Sequence, residues 1–429
     1  MTHSSADTPA AAALPETEQA PETGQAPATA RALETAEAPA NIHGYGAAGT
    51  ALGAFGMAAA VGLLSLLLQL LAQPSSGTLP MSGPAAANDS LWSSLGWFLG
   101  DMTEPLFYKS EMAALGLLAG AALAWRLARA SKRWAGSLSY DTGLWPWVLG
   151  SASLSLLLSN LAFGWMLDGG WQPTFAPFVC VAPAMVLLYG PGWRTCATGA
   201  VLGAGIVTPL ALFFIAVLST PLGLPPVVGS VLAMATGSVI AFSIARQLPW
   251  LVLRRPRPAP VGNHPASGVD QSVLNDAARA ARRVLKDFTE THFFANELAA
   301  LGVILGVSAA FVIDPGLPSY GSALLPHILF AQALTSAVGV VLWRRWYRDE
   351  GWAATYASVV SVAPAAVLAS GGSWTGIIGG AVLGAVLAPP IARAISARLP
   401  VGFHPVIGNT AAMALSTAVA LPVLGLLNT

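Results

Sequence analysis

With 55% hydrophobic and only 9% charged residues among 429, the chain has too little polar surface to cover a water-soluble body of its size, so it reads as a polytopic membrane protein. Its 20 Lys and Arg balance its 20 Asp and Glu, so no nucleic-acid partner is expected, and what informs is where the bases fall. Two cysteines, Cys180 and Cys196, lie in or beside apolar segments and support neither a disulfide framework nor a metal site.

Residues 1–43 are rich in Ala, Pro, Thr and Glu, with Arg31 the single base. Such a segment buries too little apolar area to offset its ordering entropy, and a disordered cytoplasmic tail is expected. Its start, MTHSSADTPA, lacks the basic and then apolar plan of a cleaved signal peptide. A spanning helix needs roughly 20 mostly apolar residues, and Thr50 to Gln73 is the first candidate, within a unit over 44–105 that includes an outer loop. Leu91 to Gly100 is too short to span and is expected to be re-entrant or interfacial. Five apolar segments follow near 107–127, 144–167, 173–190, 195–219 and 226–248, in a unit over 106–248. Beyond a polar linker over 249–291, five more lie near 293–313, 324–343, 355–371, 374–395 and 405–427, in a unit over 292–429. The expected total is eleven.

The two blocks of five match in order. FYKSEMAALGLLAG from Phe107 answers FFANELAALGVILG from Phe293, and GWQPTFAPFVCVAPA from Gly170 answers GWAATYASVVSVAPA from Gly351. GAVLGA recurs at Gly199 and Gly380, and PPVVGSVLAMA from Pro225 answers HPVIGNTAAMA from His404. The offsets, 186, 181, 181 and 179 residues, drift only where loops differ in length, which chance similarity of apolar text does not do. An odd number of crossings per block starts the twin on the other side, so the expected fold is all-α, one N-terminal helix plus two inverted five-helix repeats. With the N-terminus inside, 19 of the 20 Lys and Arg fall on the cytoplasmic side and only Lys109 falls outside, which favours a plasma-membrane protein with the N-terminus cytoplasmic and the C-terminus outside. Within the linker, Ser272 to Phe288 reads as an amphipathic helix lying on the inner lipid surface.

Ionisable groups inside a membrane are costly and so draw attention. Glu111 and Glu297 are the acids of the first matched stretch and are candidates for proton or cation coupling. Each also follows a good N-cap residue, Ser110 or Asn296, so capping is their plainer role. The third segments carry Thr174 and Pro183, matched by Thr355 and Pro364; a proline there frees a carbonyl and breaks the helix, as at midplane sites of inverted-repeat transporters. The fifth segments bring Ser230 and Asn409, each behind a glycine. Unrepeated polar residues, Asn160 and Gln332, are where the halves would specialise, and His327 is expected at the outer interface. These eight, Thr174, Pro183, Thr355, Pro364, Ser230, Asn409, Asn160 and Gln332, form the expected substrate site. Asp101 and Glu104, with Lys109 nearby, are expected to pair at the outer surface.

No phosphate-cradling loop, HExxH, Cys/His cluster or Gly-x-Ser-x-Gly elbow occurs, so no cofactor, metal or ATP-driven chemistry is expected. The expected function is secondary transport of a small solute by alternating access, proton- or sodium-coupled; the scarcity of buried charge favours a neutral or zwitterionic solute. A passive channel is the alternative, and a membrane enzyme acting on a lipid-linked substrate is a second. Lipid is the one expected macroscopic partner, and homo-oligomerisation is compatible with the sequence.

Overall fold

Helix follows helix in the computed structural model, which describes residues 46–72, 91–167, 170–254 and 273–427, and no strand occurs among them. The expected tail over 1–43 and the Pro-rich part of the linker lie outside the described residues. In chain order the helices are α1 (Ala47–Leu71), α2 (Leu91–Met102), α3 (Glu111–Arg129), α4 (Trp145–Phe163), α5 (Pro173–Tyr189), α6 (Trp193–Ser219), α7 (Pro226–Ala245), α8 (Val273–Glu290), α9 (Glu297–Ile313), α10 (Leu325–Leu342), α11 (Arg344–Glu350), α12 (Tyr356–Ala369), α13 (Thr375–Ser396) and α14 (Val406–Leu427). Eight of them, α1, α3, α4, α6, α7, α10, α13 and α14, are long and apolar enough to cross a membrane, as befits a multi-pass membrane protein. The remaining three apolar segments of the sequence are the shorter helices α5, α9 and α12.

α5 and α12 are short because each is broken at the same place. Cys180 (φ −142°, ψ −90°) and Ser361 (φ −143°, ψ −87°) leave the helical region, three residues ahead of Pro183 and Pro364. Proline has no N–H for the carbonyl four residues back and its ring clashes with it, so the helix cannot run through Val179 or Val360.

At the centre, α3 and α9 cross antiparallel. A Cβ on Gly116 would overlap the Gly302 carbonyl, and one on Gly302 would overlap the Gly116 carbonyl; on either side Gly120 lies against Leu298 and Gly306 against Met112. Only glycine allows backbones this close, and small residues spaced four apart are how membrane helices achieve it. α1 packs along α8 and α10, with Gly49 and Gly53 beneath Val273, Asp276 and Ala277, and Gly62 beneath Phe330.

α8 is the amphipathic helix of the linker, but it does not lie on a lipid surface along its length. Its second half is buried, including Arg283, Asp287 and Glu290. Arg283, expected to face the inner lipid surface, instead pairs with both acids inside the bundle. Opposite charges that satisfy one another can enter a bundle, where single charges cannot.

Candidate functional site

Two helix breaks with one backbone plan dominate the interior. Between α2 and α3 the Thr103 hydroxyl donates to the Ser110 carbonyl at 3.1 Å and accepts from the Ser110 N–H at 3.0 Å. Between α8 and α9, Thr289 does the same to Asn296, at 3.1 and 3.0 Å. Phe107 N–H donates to Glu104 O and Phe293 N–H to Glu290 O, at 2.8 and 2.9 Å. Four residues without a glycine's freedom take positive φ in matching places, Phe107 (65°) and Lys109 (45°) in one break and Phe293 (62°) and Ala295 (46°) in the other. Such strain persists only where the surroundings over-determine it.

Each break is completed by the other half of the chain. Ser319 N–H donates to Tyr108 O at 2.7 Å, and Ser139 N–H donates to Phe294 O at 2.9 Å. Past the breaks, Ser110 caps α3 through Ala113 N–H, and Asn296 caps α9 through Leu298 and Ala299 N–H. α3 starts five residues before Gly116, so each break sits only about 7–8 Å along the axis from the glycine crossing, given the rise of ~1.5 Å per residue.

Every break carries a buried pair of carboxylates and one base. In the first, Asp101 accepts from Lys109, from Thr174 Oγ1 at 2.8 Å and from Asn160 Nδ2 at 3.0 Å. Glu104 Oε1 accepts from Gln172 N–H at 3.1 Å and from the Tyr320 hydroxyl at 2.9 Å, while Lys109 Nζ lies 3.3 Å from Oε2 and 3.8 Å from the centre of the Trp97 ring. Asp101 and Glu104 are fully buried, so the pairing expected at the outer surface is instead an interior one. In the second, Arg283 Nη2 donates to Asp287 at 2.5 Å and to Glu290, with its guanidinium over the Tyr347 ring. Ser336 Oγ donates to Asp287 at 2.6 Å and Trp352 Nε1 to Glu290 at 2.6 Å.

The expected site residues scatter around these clusters. Thr174 and Asn160 meet on Asp101. Thr355 bonds the Tyr347 hydroxyl at 2.5 Å. Ser230 accepts from Trp171 Nε1 at 2.9 Å, and Asn409 donates to the Tyr356 hydroxyl at 3.0 Å. Gln332 is saturated across the halves: it accepts from the Tyr108 hydroxyl at 2.7 Å and donates to Leu106 O and Val359 O at 3.1 and 3.0 Å. Pro183 and Pro364 are packed inside α5 and α12. Glu111 and Glu297 open their helices, and Glu297 accepts from Arg282 at 2.7 Å. His327 lies 3.4 Å from Gln69.

Sequence reasoning missed Asp101, Glu104, Asp287 and Glu290 as a set. The signal was present: Asp-x-Thr-Glu occurs at 101–104 and again at 287–290, at the 186-residue offset of the first matched stretch. Placing 287–290 in a polar linker hid the extension.

A narrow crevice of about 10 Å³, roughly the room for one water, lies between the breaks and the third and fifth segments. Its walls come in matched pairs from both halves: Pro105 with Thr291, Phe175 with Tyr356, Val179 with Val360, and Met234 with Met413. A second one is lined by Tyr140, Glu290, Trp352, Tyr356, His404 and Asn409 among others. No family model matches this chain, and no curated protein matches it.

Proposed function

We propose that the protein is a secondary active transporter that moves a small solute across the plasma membrane by alternating access between two inverted five-helix repeats, with α1 as an added helix and eleven crossings in all. One observation carries the reading: two helix breaks, between α2 and α3 and between α8 and α9, each with a buried acid pair, flank a crevice lined largely by matched residues of both halves. Broken helices at depth are tolerated where they line a cavity, and they are where inverted-repeat transporters bind solutes and coupling ions. The antiparallel crossing of α3 and α9 at Gly116 and Gly302 supports a two-fold axis in the membrane plane. Rocking about that crossing would open the crevice to one side and then the other.

The crevice wall is mostly aliphatic and aromatic, with Thr291, Thr410 and the Tyr356 ring as its polar points. That lining suits a small uncharged or zwitterionic solute. Each acid pair carries one more negative charge than its base, which supports coupling to a proton or sodium ion.

The test has two stages. A thermal-shift screen of the purified protein against small metabolites identifies a solute, and proteoliposomes then measure its uptake with and without a proton or sodium gradient. Accumulation against the solute's own gradient, driven by either ion, is expected. Flux that ignores both ion gradients would make the protein a passive channel. For orientation, cysteines introduced at the exposed Lys132 and Thr220 should react from the inside and the outside respectively.

A further inference from the structure

The two acid pairs are not equivalent, and the difference selects one as the place where a proton is carried. Both oxygens of Glu290 are hydrogen-bonded, one to Trp352 and one to Arg283. Glu104 is fully buried, yet its Oε2 receives no hydrogen bond, although Lys109 Nζ lies 3.3 Å away. Lys109 donates its hydrogen bond to Asp101 Oδ1 and faces Glu104 as an unbonded charge. Glu104 is therefore the carboxylate with an open oxygen in a cluster of two acids and one base.

The groups facing it support a single titrating site. Asp101 from α2, Lys109 from the break and Tyr320 from the loop before α10 are the charged and titratable ones. α4 and α5 present Asn160, Thr174 and, from the loop between them, Gln172, none of which titrates. Gln172 donates its backbone N–H to Glu104 Oε1, and its own Oε1 is buried without a partner.

The bases differ in kind as well as in place. A guanidinium stays charged, and Arg283 reaches both Asp287 and Glu290 through one nitrogen, Nη2. An ammonium is a compact point charge, and Lys109 hydrogen-bonds Asp101 while lying 3.3 Å from Glu104 Oε2 without a hydrogen bond to it.

We propose that Glu104 is the proton-binding carboxylate of the transport cycle, held by the Lys109–Asp101 pair and Tyr320, and that its counterpart Glu290 stays ionised against Arg283. The step is a simple one: a proton from water adds to Glu104 Oε2, and the cluster passes from one net negative charge to neutral. Lys109 and Asp101 remain an ion pair throughout. Neutralising the cluster removes the electrostatic cost of moving it through the occluded state. This inference rests on the transport reading for its purpose, while its chemistry can be tested without a solute.

The probe is the proton itself. Infrared difference spectra of the full-length protein in lipid nanodiscs, stepped in pH with no solute present, should show a reversible carbonyl band of a buried protonated carboxyl. Glu104→Gln should abolish the band, and Glu290→Gln should retain it. If Glu104→Gln does not fold, Glu104→Asp must move the pH midpoint of the band and Glu290→Asp must leave it in place. No band in the wild-type protein, a band that survives Glu104→Gln, or a midpoint that Glu104→Asp leaves unmoved would overturn the proposal. A Glu104 band together with solute flux indifferent to the proton gradient keeps the proton site and sinks the coupled-transport reading. Proton-driven uptake that persists in Glu104→Gln does the reverse.

Discussion

The break between α2 and α3 and the break between α8 and α9 share a backbone down to their positive-φ residues, yet they hold their acids differently. In both, an Asp and a Glu three residues apart end the incoming helix and a threonine clamps the turn. The base has moved. Lys109 lies within the first break, where the second has Ala295, and Arg283 lies on α8, where α2 has Trp97. Backbone geometry at a break is held by local hydrogen bonds that tolerate little change, whereas a cation need only reach the carboxylates. The scaffold can thus stay duplicated while the chemistry diverges.

The sharpest way to break this comparison is to remove a base. Arg283→Met leaves Asp287 and Glu290 facing one another, and stripping one partner from a buried ion pair costs about 3–5 kcal/mol. Arg283→Lys should recover only part of that, because the shorter lysine side chain does not reach the place where Nη2 meets both carboxylates; thermal melts of the purified protein measure both. Next in size, Gly116→Ala and Gly302→Ala should each cost about 3 kcal/mol, the upper range for overpacking, since the new methyl meets backbone that cannot turn aside. Unequal costs would argue against a symmetric crossing.

Thr103→Val and Thr289→Val test the shared clamp. Each leaves a buried amide unpaired, while the carbonyl keeps its bond from Ala114 or Ala300 N–H, for a loss of about 2 kcal/mol, and the two losses should agree. The smallest effect separates the caps. Ser110→Ala should cost about 1 kcal/mol, as cap removal does. Asn296→Ala should cost more, because its amide also donates to Ala135 O and Ser137 O at 2.8 and 2.7 Å. Equal destabilisation in chemical unfolding would show that those two carbonyls find other partners.

Much of the fold was legible because it depends on local chemistry. Composition demanded a membrane, hydropathy marked eleven segments that are all helical, and Ser110 and Asn296 stand where a cap residue belongs. Pro183 and Pro364 announced the breaks at Cys180 and Ser361, since proline has no N–H for the carbonyl four residues back. The candidate site was less legible. Thr174 was singled out for the helix break it accompanies, but its hydroxyl serves Asp101, and Gln332 ties Tyr108 to α12.

What the sequence by itself determined is the set of apolar segments, their caps and breaks, and the match between halves, because each follows from residues within a turn or two of one another. The tertiary structure alone decided that the second half of α8 is buried and that Lys109 serves carboxylates inside the bundle. It also decided that Ser139 and Ser319 finish each other's half. Those facts depend on which distant groups meet to offset the cost of burying charge and open carbonyls, and a chain read in order carries no measure of that meeting.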